Sequence, residues 1–291
     1  MSLFFTHLQQ YAFLQHAVLA GVLTAIACGI VGSYVVVRRS TYTAGAIAHC
    51  VLGGMGIARY LHHVHGMTWA TPLTGATLAA ILAASIIAGV TASGKQREDT
   101  VLSAVWAVGM AIGISFISIT PGYYEDLLSY LFGNILMVGM PALRLMAVLD
   151  LFIIVITILF YNQFLAVSFQ PELARLRGVS VQIYHTLILL ITALTVVLLT
   201  QVVGLILVIA LLTLPAAMAS RLVHKLWLMM LVAAALSLVF TIGGIALSYG
   251  PELPAGATII ELTGSAFVLL IGGQGLYHRW FRHARSHRKG S

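Results

Sequence analysis

His49, Asp150 and Glu261 are ionisable residues set inside long apolar runs of the chain. At membrane depth a charged group costs roughly 2.5–3.5 kcal/mol on insertion scales, so such residues are kept where they meet a partner or a water-filled path. An imidazole together with a carboxylate oxygen suits Zn²⁺ or Mn²⁺. Each residue also has a structural reading. His49 fits as a neutral imidazole bonded to a neighbouring helix. Asp150 fits as a cap or pair near the outer third of its helix, and Glu261 as one half of a structural pair. His62, His63 and His65 form a short His-rich tract, a composition that binds metal in some proteins and is a solvated loop in others. Cys28 and Cys50 both fall in predicted spans and read as small buried apolar residues rather than a disulfide or metal pair.

The elements that hold these residues are membrane helices. Asp, Glu, Lys and Arg make up 8% of the chain and apolar residues 60%, whereas a soluble domain is about 25% charged. No such charge occurs from Met1 to Val37, from Tyr60 to Gly94 or from Gly178 to Ser220. A helix needs about 20 apolar residues to cross the hydrocarbon core. The pattern predicts an all-α, polytopic transmembrane bundle of about 8–9 spans, near 13–37, 43–61, 70–93, 101–119, 143–161, 181–200, 203–220, 227–248 and 256–277. The Gly178–Ser220 run is expected to fold back near Gln201. A tenth apolar stretch, 127–140, is short, carries Gly133 and Gly139, and is expected to be a partial or re-entrant helix ended by Pro141. The first run lacks the basic leader of a secretory signal, so it is expected to remain as a span.

Charge sets an expected orientation. With the N-terminus outside, the inner side receives Arg38, Arg39, Lys95, Arg97, Arg175, Arg177, Arg221, Lys225 and the basic residues of the tail. The outer side receives only Arg59 and Arg144. Residues 1–278 then form the transmembrane domain. Residues 279–291 form a basic cytoplasmic tail that anchors to anionic lipid, so the net charge of +7 does not imply nucleic acid. On the outer side lie the His tract, Tyr123–Asp126 and Gly250–Pro254. An outer mouth with His and carboxylates above a basic inner face suits a cation that enters from outside.

Gly89 to Lys95 spells G-x-x-x-x-G-K, but Gln96 stands where Ser or Thr would hold Mg²⁺, and a membrane span precedes it. The match is therefore chance, and the chain is expected to carry no ATPase of its own. Gly109 and Gly113, the Gly53–Gly56 cluster and Gly243–Gly244 read as close helix contacts. The inner loop Phe169–Gly178 opens with Pro171 and Glu172 and stops at Gly178, which predicts a short helix on the inner face that lies on lipid or docks in a partner's groove.

Together these residues resemble the permease subunits of the zinc, manganese and iron family of metal-ion ABC importers. The resemblance runs from about Leu14 to Leu270. It rests on Gly32-Ser-Tyr-Val-Val-Val-Arg-Arg39, Ala46-Ile-Ala-His-Cys-Val-Leu-Gly-Gly54, Leu131-Phe-Gly-Asn134 and Phe164-Leu-Ala-Val-Ser-Phe-Gln-Pro-Glu-Leu-Ala-Arg175, then Val203–Ala217 and Leu253–Ile259, in that order. It implies a subunit of the cell (inner) membrane that moves a divalent transition metal inward by alternating access. It implies a permease homodimer, a cytoplasmic ATP-binding cassette ATPase that binds and hydrolyses ATP, and an extracytoplasmic metal-binding protein. It makes the 170–178 segment, with Pro171, Glu172, Arg175 and Gly178, the coupling helix that docks on the ATPase. No covalently bound cofactor is implied.

One departure stands out. The family usually has Asp four residues before the second-span His, and here that position is Gly45, with Ala48 in place of the usual Ser. His49 is kept and the carboxylate is lost. Glu261 is the expected substitute oxygen ligand on the metal pathway, with His62, His63 and His65 at its outer mouth. The alternative reading is a secondary transporter driven by an ion gradient through Asp150 and Glu261. An intramembrane metalloprotease is disfavoured because no H-E-x-x-H helix occurs.

Overall fold

Lipid offers no hydrogen-bond partners to the backbone, so each apolar run satisfies its own N–H and C=O groups by coiling. The computed structural model describes residues 7–93, 97–121, 133, 135–251 and 253–287, with 275–287 described as backbone only. The helices are α1 (Ala12–Val37), α2 (Thr41–His65), α3 (Pro72–Ser93) and α4 (Glu98–Ile119). A 3-10 turn (Ile135–Met137) leads into α5 (Met140–Leu159), followed by the short α6 (Tyr161–Phe169) and α7 (Pro171–Leu176). The chain continues through α8 (Val181–Val203), α9 (Leu205–Leu222), α10 (Leu226–Tyr249) and α11 (Ala255–His287). Among the described residues nine helices are long and apolar enough to cross a membrane: α1–α5, α8–α10 and the Ala255–Gln274 part of α11. The bundle is all-α and polytopic, as composition predicts.

Of the apolar windows, 67% is buried in α1, α2 and α8, but only 17% in α4 and α11. The first three form the middle of the bundle, and the last two its rim. Small residues bring the helices together, because apolar faces gain little from leaving lipid and association relies on close packing. A Cβ on Gly109 of α4 would stand 2.6 Å from the Cys50 Cα of α2, and one on Gly56 would stand 2.7 Å from the Gly113 carbonyl oxygen. The expected role of the Gly109/Gly113 pair as a packing seam is what the structure shows. Gly244 serves α10 in the same way against Ile259 of α11.

Two local expectations change, and a third falls largely outside the described residues. The turn expected near Gln201 lies three residues later, at Gly204. The α8 helix continues through Val203, and Gly204 alone reverses the chain with φ 88° and ψ 158°. A residue with a Cβ adopts positive φ only with strain, so the reversal falls on the glycine and not on Gln201. Pro141 does not end a helix. It sits in the first turn of α5, where its missing N–H costs no intrahelical bond. Most of the 127–140 stretch, residues 127–132 and 134, lies outside the described residues. The described remainder is Gly133, which packs against the backbone of Val203 and Gly204, the 3-10 turn, and the approach to α5.

Residues 123–126 and Lys95 also fall outside the described set. The α11 backbone runs unbroken past residue 278, the boundary expected between the membrane domain and the tail. The G-x-x-x-x-G-K match begins on the last turns of α3, with a helix before it where a P-loop has a strand.

Candidate functional site

His49 lies two turns into α2 and is buried. The glycine seam lets α4 approach closely enough for the His49 ring to stack on Trp106, with centroids 4.3 Å apart and planes at 22°. Gly45, one turn earlier on α2, meets the same ring: a Cβ there would be 2.8 Å from Trp106 Cζ3. The His49 Nδ1 atom is enclosed and has no hydrogen-bond partner. Trp106 also lines a cleft of about 510 Å³, together with Tyr42, Asp99, Leu102 and Ser103. Asp99 is exposed in the first turn of α4, so the cleft runs from a carboxylate at that end of the bundle to the indole two turns deeper.

Glu261 stands elsewhere. It is exposed on α11, which packs mainly against α9 and α10, while α2 packs against α3, α4, α8 and α9. Within one chain the structure does not bring Glu261 and His49 into a common site. His62, His63 and His65 occupy the exposed last turn of α2. His62 Nδ1 lies 3.1 Å from the Met67 carbonyl oxygen, to which its N–H donates, and His65 stands edge-on to Tyr60 at 5.8 Å. His62 and His65, three residues apart, share a face of the helix, and the His62 and His63 rings lie 5.8 Å apart. Among the described residues no three His, Cys, Asp or Glu side chains are placed to hold a metal ion.

Asp150 is buried on α5, and its Oδ2 has no hydrogen-bond partner. At the C-terminal end of α1 the Arg38 Nη2 donates to His185 Nδ1 of α8 at 3.1 Å. Burial lowers the Arg38 pKa from its ordinary value, and Glu98 opposes that shift.

The predicted surface helix is present as α7. Gln170 precedes it, Pro171 opens it, and Gly178, at φ 78°, closes it by donating its N–H to the Arg175 carbonyl at 3.0 Å. Ala174 is buried against Val167 and Val181. Pro171, Glu172, Arg175 and Gly178 are exposed, and Leu173 (41%), Leu176 (85%) and the neighbouring Phe169 (55%) present apolar surface outward. A six-residue helix held by one buried alanine, with leucines turned away from the bundle, is built to be covered by something else.

Two features escaped the sequence reading. Trp106 carried a usable signal, because Trp106, Gly109 and Gly113 fall on one stripe of a helix at spacings of three and four. The glycines that approach α2 therefore bring the indole with them. The Arg38–His185 pair carried none, since its members are 147 positions apart.

A chain with nine membrane-length apolar helices among its described residues, and a short helix with exposed leucines between two of them, has the architecture of a multi-pass transport subunit of the cell membrane. Residues 10–273 match the ABC 3 transport family, and the chain belongs to that family. It is 43% identical over 260 residues to an uncharacterized membrane protein of Synechocystis sp., covering 89% of this chain and 90% of that one. It is 32% identical to the manganese transport system membrane protein MntC of Halalkalibacterium halodurans, covering 98% and 97%. Among solved structures it resembles PsaBC from Streptococcus pneumoniae in complex with Fab, with a TM-score of 0.80, 29% identity and coverage of 92% and 94%.

Proposed function

We propose that this chain is the membrane-spanning subunit of an ATP-driven importer that moves a divalent transition-metal ion (manganese, zinc or iron) into the cytoplasm by alternating access. The observation that carries the reading is α7, a short helix between spanning helices with Leu173 and Leu176 exposed, in a chain of the ABC 3 transport family. The relative named as a manganese transport system membrane protein supports a metal cargo. In this reading α7 docks on a cytoplasmic ATP-binding cassette ATPase, which alone binds and hydrolyses ATP. An extracytoplasmic binding protein delivers the ion, and the permease works as a homodimer. The asymmetry of Lys and Arg supports an N-terminus outside and a C-terminus inside.

His49 is the proposed nitrogen ligand on the path, and the His62–His65 turn lies at its outer mouth. Glu261, exposed on the rim of a single protomer, reaches the path only if a second protomer covers α11. A carboxylate left facing lipid is costly, which favours that cover. The test is uptake of Mn²⁺, Zn²⁺ and Fe²⁺ by the reconstituted permease–ATPase–binding-protein complex. Uptake is expected to stop on ATP depletion and to persist with an uncoupler. Uptake that follows the ion gradient and ignores ATP would overturn the reading in favour of secondary transport.

A further inference from the structure

We propose that Trp106 is a positioning and specificity-determining residue of the His49 path. It holds the imidazole in place by stacking, and it occupies the space in which a side chain at position 45 would otherwise offer the metal an oxygen. The inference rests on the metal-transport reading and extends it to which ion the path favours.

The geometry has three parts. First, a metal-binding imidazole is ordinarily oriented by a hydrogen bond from its second ring nitrogen. His49 Nδ1 has no such partner. The flat stack on Trp106, at 4.3 Å and 22°, is the contact that restrains this ring. Second, a side chain at position 45 requires the indole to move, because a Cβ there would stand 2.8 Å from Trp106 Cζ3 and 3.4 Å from Cη2. Gly45 and Trp106 are thus one coupled choice, glycine on α2 with a large ring on α4. Third, Trp106 also lines the cleft that opens at Asp99, so the same indole borders the His49 ring and that carboxylate's cleft.

The chemical consequence concerns selectivity. Imidazole suits zinc and iron, whereas manganese leans towards carboxylate and water oxygens, and divalent affinity for a nitrogen site rises from Mn²⁺ through Fe²⁺ to Zn²⁺. A path that presents a nitrogen donor beside an aromatic wall, with glycine one turn away at position 45, discriminates against Mn²⁺ relative to a path with an oxygen one turn from the imidazole.

The experiment measures Zn²⁺ and Mn²⁺ uptake by the full complex in proteoliposomes, for the natural chain, W106F, W106A, G45D and G45D/W106A, with the melting temperature of each. W106F keeps a ring against His49 and is expected to retain the Zn²⁺ half-saturation concentration. W106A is expected to raise it about 10-fold, the low end of the effect of losing an orienting partner. G45D alone is expected to melt lower and transport poorly. G45D/W106A, with room for the carboxylate, is expected to recover stability and shift the Mn²⁺/Zn²⁺ uptake ratio towards manganese by about tenfold, equivalent to about 1.4 kcal/mol. If the natural complex moves none of Zn²⁺, Mn²⁺ and Fe²⁺, the transport reading itself falls. If the natural complex transports but the metal ratio and half-saturation are the same in W106A and G45D/W106A, the assignment of Trp106 is overturned. Should W106A fail to assemble, an unchanged ratio between G45D/W106F and W106F overturns it equally.

Discussion

Arg38 and His185 meet at 3.1 Å, and this one contact ties the C-terminal end of α1 to the first turns of α8. An arginine only donates, so His185 Nδ1 accepts and its proton sits on Nε2. The Arg38 Nη1 atom is buried and has no hydrogen-bond partner, so the guanidinium relies on its bond to His185 beside the opposite charge of Glu98. His185→Leu should therefore cost about 1.5–3 kcal/mol, the range for a hydrogen bond to a charged group. Arg38→Met should cost less than His185→Leu, because it leaves no unpaired cation behind. A double-mutant cycle on thermal unfolding in detergent checks this. A coupling energy near zero would show that the pair contributes nothing.

The glycine seam makes a sharper contrast. Gly109→Leu forces a side chain towards the Cys50 backbone, where even a Cβ would sit at 2.6 Å. Overpacking of this kind costs about 1–3 kcal/mol. Gly89 in α3 has nothing within 4 Å of an added Cβ. Gly89→Ala should instead be neutral or stabilising by up to about 1 kcal/mol through helix propensity. Melting curves of the two purified variants should move in opposite directions or by clearly different amounts.

Gly204 reverses the chain at φ 88°. Gly204→Ala places a Cβ on a backbone conformation that L-residues seldom adopt, at a cost of about 1–3 kcal/mol. The expected result is a lowered melting temperature and faster proteolysis of the α8–α9 turn. A melting curve that overlays the natural protein's would show that the turn tolerates a side chain.

Leu173 and Leu176 on α7 point away from the bundle. Leu173→Asp/Leu176→Asp should leave the melting temperature of the isolated permease within a degree or so of the natural value, since exposed sites barely affect stability. Binding of the ATPase should weaken by about 2 kcal/mol or more, as for interface anchors. Co-purification of the ATPase with the permease, read beside metal uptake, checks it. Undiminished co-purification would place the docking surface elsewhere.

Glu261→Gln separates a path residue from a structural one. If a second protomer brings Glu261 to the path, the substitution should lower metal uptake by about tenfold or more with assembly intact, the scale on which metal sites respond to a lost supporting group. Equal uptake with His49 intact would remove Glu261 from the path.

The sequence by itself determined what depends on local composition. Apolar length against bilayer thickness yields the spans, because a backbone in hydrocarbon has no alternative to the helix. Pro171, Glu172 and Gly178 mark α7, since caps and stops act within one turn. The Gly109/Gly113 spacing announces a close contact but does not name its partner. Tertiary structure decided that partner, and with it the fate of each candidate ligand. It rotated α2 and α4 so that His49 faces Trp106, turned Glu261 to the rim, left His62, His63 and His65 without the placement to hold a metal ion together, and put the reversal at Gly204. The reason is physical. A helix in lipid is equally content at any rotation about its axis until small residues and ring shapes on a neighbour choose one. That choice joins residues such as Arg38 and His185 that no local pattern connects.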